Sequence, residues 1–288
     1  MNDIQTHTDL QSFWMAIERS LEEPALLVRS LEETYFVHAS DSLRHYIEFT
    51  RLTAERLAAV YWSRHEYYDA LREREKQLHE AARALPSLHS ALMVDLPHAV
   101  PADLAVVIGD FSYLGTVAPR TILLGLEFFP SSTWRHLIPV RLPCLSTEDL
   151  GSVLAHELIH VQQLERFPEA NVAALDLLQL ALLEGAAEYV GERLSQRRST
   201  LHPHAFGQAH AAEIWTAFNG DLEQGTAHGW FYNDATRSGW PRDVGYYVGY
   251  ELCRAYHADH VHDPQVVEAN IYGFLTPEPF KAYLAFQS

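Results

Sequence analysis

The chain has 288 residues, 48% of them hydrophobic and 20% charged, enough for one large core or two modest ones. Thirty-eight acidic residues against 21 basic ones leave a formal charge of −17, and Lys76 and Lys281 are the only lysines. That charge repels a phosphate backbone and an anionic lipid surface, which argues against nucleic acid or a charged membrane as partner. No stretch reaches the roughly 18 uninterrupted apolar residues of a membrane span, and the first twenty residues lack a secretion signal's apolar run. Only two cysteines occur, Cys144 and Cys253, which suit a reducing compartment as well as a single disulfide. A cytoplasmic protein is the expectation.

Residues 8 to 90 read as mostly helical. "TDLQSFWMAIERSLEE" offers Thr8 or Asp9 as a cap and then sets Leu10, Phe13, Ile17 and Leu21 at helical spacing. A second tract from about residue 41 reads as one or two long helices ending near Pro86. The period then changes. "LAVVIG" (104–109) and "RTILLGLEFF" (120–129) are short branched apolar runs that read as strands, joined by a turn-rich connector, "DFSYLGTVAP". Helices resume at Ser146, which with Asp149 resembles a capping box, and the first one should stop near Phe167, ahead of Pro168. The next, 171 to 194, is apolar on nearly all sides in its first half and should be deeply buried. Further helices are predicted around 208–222, from Asp243 to Tyr256, and within "TPEPFKAYLAF". The pattern predicts an α+β protein, mainly helical with a small mixed sheet. Residues 1–100 are expected to form a helical N-terminal region and 101–288 an α+β unit, packed as one.

The chemistry concentrates in "AHELIH". On a helix, His156 and His160 lie one turn apart and project in nearly the same direction, so both imidazoles can reach one metal ion. Glu157 is offset to the flank, where it can address water without becoming a ligand. A hydrolytic metal site needs a third protein ligand. Glu184 follows "LLQLALL" on the next predicted helix, where a carboxylate is costly unless it is paired or bound to metal. Gly185 and Ala186 beside it leave room for another element, and Glu188, one turn on, is its competitor.

His156-Glu157-Leu158-Ile159-His160 followed by Glu184-Gly185-Ala186-Ala187-Glu188-Tyr189 resembles the gluzincin clan of zinc metallopeptidases. More narrowly, it is similar to the bacterial DUF2268 family of predicted zinc-dependent proteases. The resemblance implies a zincin-like unit around an HExxH helix, with Glu184 as third ligand and Glu188 holding the first histidine. It also puts "RTILLGLEFF" where such enzymes have an edge strand for an extended substrate, although a plain core strand accounts for those residues equally well. Downstream, "WPRDVGYYVGYELCRAY" resembles the segment after the zinc site. A tyrosine hydroxyl there, Tyr246 or Tyr247, is implied as oxyanion donor, with Tyr250 nearby and His228 in reserve. The first hundred residues match nothing specific.

The resulting expectation is a zinc-dependent peptidase with one Zn2+ per chain, acting on a peptide or protein substrate through metal-activated water, with Glu157 as general base. The rival is a non-catalytic metal-binding or protein-interaction module that retains the fold. Nitrogen and oxygen ligands alone do not select zinc over other divalent metals.

Overall fold

The apolar spacing at the N-terminus produces α1 (Leu10–Ser20), which buries Leu10, Phe13 and Ile17. The computed structural model describes residues 6–129, 146, 149–198, 203–232 and 239–285. It places a short strand, β1 (Thr6–Thr8), ahead of α1. Asp9 stands at the helix start but does not cap it. Its carboxylate instead accepts the Ser40 N–H at 3.1 Å and the Ser40 hydroxyl at 2.6 Å, and Ser40 caps a later helix. α2 (Leu27–Leu31) runs on into a π-type turn over Glu32–Phe36.

The tract from residue 41 breaks more often than its periodicity suggests. It forms α3 (Asp41–Thr50), α4 (Ala54–Ser63), α5 (His65–Ala82) and α6 (Leu85–Asp95). Arg51 ends α3 in the left-handed region, with φ 53°. Nor does helix stop at Pro86, which lies in the first turn of α6, where the missing N–H has no intrahelical partner to lose.

The sheet has the order β1-β2-β4-β3, with β2 (Asp103–Val107), β3 (Gly115–Ala118) and β4 (Thr121–Gly125). β2 runs parallel to both β1 and β4, whereas β3 pairs antiparallel with β4, Gly115 opposite Leu124 and Ala118 opposite Thr121. "RTILLGLEFF" therefore supplies an interior strand, and the edge comes from the stretch that reads as a connector. The reason is burial. Ile122, Leu123 and Leu124 are fully enclosed, while only Ala118 of β3 is, so β3 carries no continuous apolar run.

The remaining helices are α7 (Leu150–Arg166), α8 (Leu177–Ser195), α9 (His204–Ala209), α10 (Ala211–Gln224), α11 (Gly245–Asp259), α12 (Val266–Tyr272) and α13 (Glu278–Lys281). Ser146 gives its N–H and hydroxyl to Asp149 Oδ2 at 2.8 and 2.7 Å, half of the capping box read from the sequence. α7 stops at Arg166, before the Phe167-Pro168 pair. α8 opens on a complete box, Asp176 with Gln179. Pro143 and Cys144 lie outside the described residues. Cys253 is buried in α11, and burial pushes its thiol pKa up.

The chain divides into two compact units, Met1–Pro86 with Pro101–Glu157, and Ser87–Val100 with Leu158–Ser288. In the first, α3 packs on the sheet, and Phe13, Tyr35, Tyr61 and Tyr68 form an aromatic core of tilted and edge-to-face rings. In the second, α8 packs on α11 at a glycine crossing. A Cβ on Gly249 would lie 1.8 Å from the Ala181 carbonyl oxygen, and one on Gly185 would lie 2.0 Å from the Gly249 carbonyl carbon. Only glycine lets the two backbones touch there.

Candidate metal centre

α7 holds its polar residues in place by burying the rest. Leu150, Val153, Leu154, Leu158, Ile159 and Val161 are enclosed, so the helix cannot rotate its imidazoles into water without exposing them. His156 and His160 stand one turn apart on this continuous helix. With Glu184 of α8 they form a group of potential metal ligands whose donor atoms all lie within 4.8 Å of one another.

The protonation of His160 follows from its neighbours. Gln163 gives its amide N–H2 to two carbonyls, Leu183 O at 3.1 Å and Ile271 O at 3.0 Å. Its oxygen must then face His160, whose Nδ1 is 2.7 Å away. Nδ1 therefore carries the proton, and the lone pair of the neutral ring lies on Nε2. That Nε2 faces Glu184 Oε2 at 3.2 Å. Two acceptors at that distance need a cation to share, either a proton on the ring or a metal ion. The donor set, two imidazoles and a carboxylate only 4% exposed, fits a divalent ion such as zinc.

Glu184 is also held from its other side. Its Oε1 accepts the hydroxyl of Tyr232, and the phenol of Tyr246 hydrogen bonds to the same carboxylate. Burial, and then the Glu184 charge, push the Tyr246 hydroxyl well above the usual phenol range, so it stays a donor. Tyr247 packs elsewhere, its ring against Gly207 and edge-on to His204 at 6.4 Å. Tyr250 accepts from Arg198 at 2.7 Å. His228 is exposed in the turn after α10, its N–H on Thr226 Oγ1.

Glu157 is buried, and its carboxylate lies on the backbone of the edge strand. A Cβ on Gly115, the first residue of β3, would come within 2.6 Å of Glu157 Oε1. Glu188 pairs with His204, Oε2 to Nε2 at 3.0 Å, both side chains enclosed. Three residues close to these groups escaped the sequence reading: Gln163, His204 and Tyr232. Gln163 carried a usable signal, since it sits three residues after His160 on the same helix. His204 and Tyr232 carried none, because a short helix and a loop bring them to α8.

A family model described as "Predicted Zn-dependent protease (DUF2268)" matches residues 138–270, a little under half of the chain. The matched stretch contains His156, Glu157, His160 and Glu184 together with Tyr232 and Tyr246, and it omits the sheet. No curated protein and no solved structure matches the chain. Among the described residues, no helix is long and apolar enough to cross a membrane.

Proposed function

We propose that this chain is a zinc-dependent peptidase. The observation that carries the reading is the pair of acceptors on α7 and α8. His160, its Nδ1 proton committed to Gln163, turns its other ring nitrogen toward the Glu184 carboxylate. His156, His160 and Glu184 would hold the metal. When bound, zinc supplies Lewis acidity, polarising a scissile carbonyl and activating water. Glu157 takes the proton from the attacking water and hands it to the departing amide nitrogen. An extended substrate pairs with β3, the edge strand among the described residues, which Gly115 brings against Glu157. Of the two tyrosines, Tyr246 is assigned to the oxyanion because it lies beside Glu184, its one O–H turning from that carboxylate to the developing charge, whereas Tyr247 lies against Gly207. Glu188 keeps the role the resemblance implies, holding His156, and His204 anchors its carboxylate.

Elemental analysis of wild type, Glu184→Ala and Glu157→Gln, with hydrolysis of a broad peptide library, tests the reading. Wild type should carry about one zinc and cleave, Glu184→Ala should lose the metal, and Glu157→Gln should keep the metal and lose cleavage. Full zinc content in Glu184→Ala would overturn the ligand assignment. A zinc-loaded wild type that cleaves nothing in the library would overturn the peptidase reading in favour of a metal-holding module.

A further inference from the structure

Two phenols reach the Glu184 carboxylate from different parts of the second unit, and they are not equivalent. Tyr246 comes from the first turn of α11 and is buried on every side. Tyr232 comes from the segment after Trp230 and is 48% exposed, yet its hydroxyl points inward to Glu184 Oε1. A half-exposed tyrosine ordinarily turns its hydroxyl to water. Here the backbone is held so that it does not. Tyr232 N–H donates to Asp243 Oδ1 at 3.0 Å, and both residues adopt positive φ, 52° and 58°. The neighbouring Phe231 ring fills the space over Gly245, where a Cβ would lie 2.2 Å from it, and Gly245 N–H reaches Trp230 O at 3.2 Å. Non-glycine residues at positive φ are uncommon and persist where surrounding contacts over-determine them.

The consequence for Glu184 is a division of labour between its oxygens. Oε1 is occupied by Tyr232, and Oε2 faces His160 Nε2. With Oε1 tied to the Tyr232 phenol, Oε2 is the oxygen turned toward His160. We infer that Tyr232 is a positioning residue, which limits Glu184 to binding the metal through a single oxygen and so sets the coordination number and affinity of the site. This rests on the metal-binding reading of His156, His160 and Glu184. It adds that a loop residue at the surface governs the ligand geometry, so that the loop and the metal constrain one another. Outer partners of metal ligands are commonly worth 10–100-fold in affinity.

The test uses the full chain as wild type and Tyr232→Phe, loaded with Zn2+ and, separately, with Co2+. Chelator competition should show metal bound about 10-fold more weakly by Tyr232→Phe. The visible absorption of the Co2+ form should lose intensity, as Glu184 swings to bind through both oxygens and the coordination number rises. The far-UV circular dichroism and the unfolding midpoint of the metal-free protein should stay as in wild type, since the ring remains and only a hydroxyl is removed. Identical Zn2+ affinity and identical Co2+ spectra in the two proteins would overturn the inference. A phenolate charge-transfer band in Cu2+-loaded wild type that vanishes in Tyr232→Phe would overturn it too, by making Tyr232 itself a ligand. If wild type binds neither ion, the metal-site reading fails and not this step alone.

Discussion

Each compact unit buries a carboxylate on which much depends, and the two are satisfied in opposite ways. In the first, Glu127 is fully enclosed just after β4, and its oxygens accept backbone N–H groups, Gly109 at 3.1 Å and Phe111 at 3.3 Å. In the second, Glu184 is met by side chains: His160, Tyr232 and Tyr246. Backbone donors are rigid and uncharged, so Glu127 can do little beyond pinning the turn between β2 and β3, where Phe111 sits at φ 65°. A carboxylate ringed by an imidazole and two phenols faces groups that titrate, rotate and ligate. The same buried residue type is a staple in one place and a candidate ligand in the other, and the donors around it decide which.

Charge follows the same division. Burial raises the Glu127 carboxyl from its ordinary 4.5 to about 7, against the lowering effect of its backbone N–H partners. Asp110 adds to the rise, while Arg56 is paired to that aspartate. The hydroxyls of Tyr35 and Tyr68 are committed to the Ile108 and Gly109 carbonyls, and Tyr67 is committed to the Glu127 carbonyl. Tyr46, enclosed beside Gly109, finds no partner for its hydroxyl among the described residues. No cation therefore comes directly against Glu127 among these neighbours.

The widest separation between the two carboxylates should appear on neutralising each one. Glu184→Gln is expected to weaken zinc binding by more than about 100-fold, and Glu127→Gln to leave it unchanged, both read by chelator competition. The frame around Glu184 should be the next most sensitive. Gly249→Ala drives a methyl into the Ala181 carbonyl and should cost about 3 kcal/mol in urea unfolding, because backbone cannot step aside as a side chain can. Destabilisation below about 1 kcal/mol would mean that α8 and α11 slide freely.

Glu127 should reveal itself through pH. Its folded pKa of about 7 lies above the 4.5 it regains on unfolding, so between those values the native state holds more protons. Stability due to this group is full below pH 4.5 and falls as pH rises to about 7, by roughly 3 kcal/mol at about 1.4 kcal/mol per unit. Glu127→Gln should flatten that slope in urea melts taken at pH 5 and pH 7.5. An unchanged slope would place the titration elsewhere. The smallest effect is expected at Asp176→Ala, which removes the exposed capping box of the helix that carries Glu184. It should cost about 1 kcal/mol in unfolding and leave metal affinity alone, separating support of α8 from support of its ligand.

Much of the helical framework could be read directly. α7 and α8 carry strong periodicity or near-continuous apolar runs, a proline stop and caps, which are local signals that act within one turn or two. The two-histidine motif and the downstream glutamate were legible for the same reason: helical spacing brings His156 and His160 together, and an isolated carboxylate directly after "LLQLALL" demands a partner. The sheet was legible only in part. β2 and β4 are enclosed and apolar, whereas β3 is an edge whose half-exposed residues look like any connector.

Local sequence alone thus determined the α7 and α8 helices and three potential ligands on them. Tertiary structure decided what surrounds those ligands. That Gln163 fixes the ring of His160 depends on carbonyls of α8 and α12, 20 and 108 residues away in the chain. That Glu184 meets Tyr246 depends on two glycines that let α8 and α11 touch, that it meets Tyr232 depends on a backbone held by Asp243, and that Glu188 meets His204 depends on a six-residue helix. Spacing along a helix is encoded in neighbouring residues and can be counted. Contacts between distant segments are set by which surfaces the whole chain can bury together, and no local pattern records them.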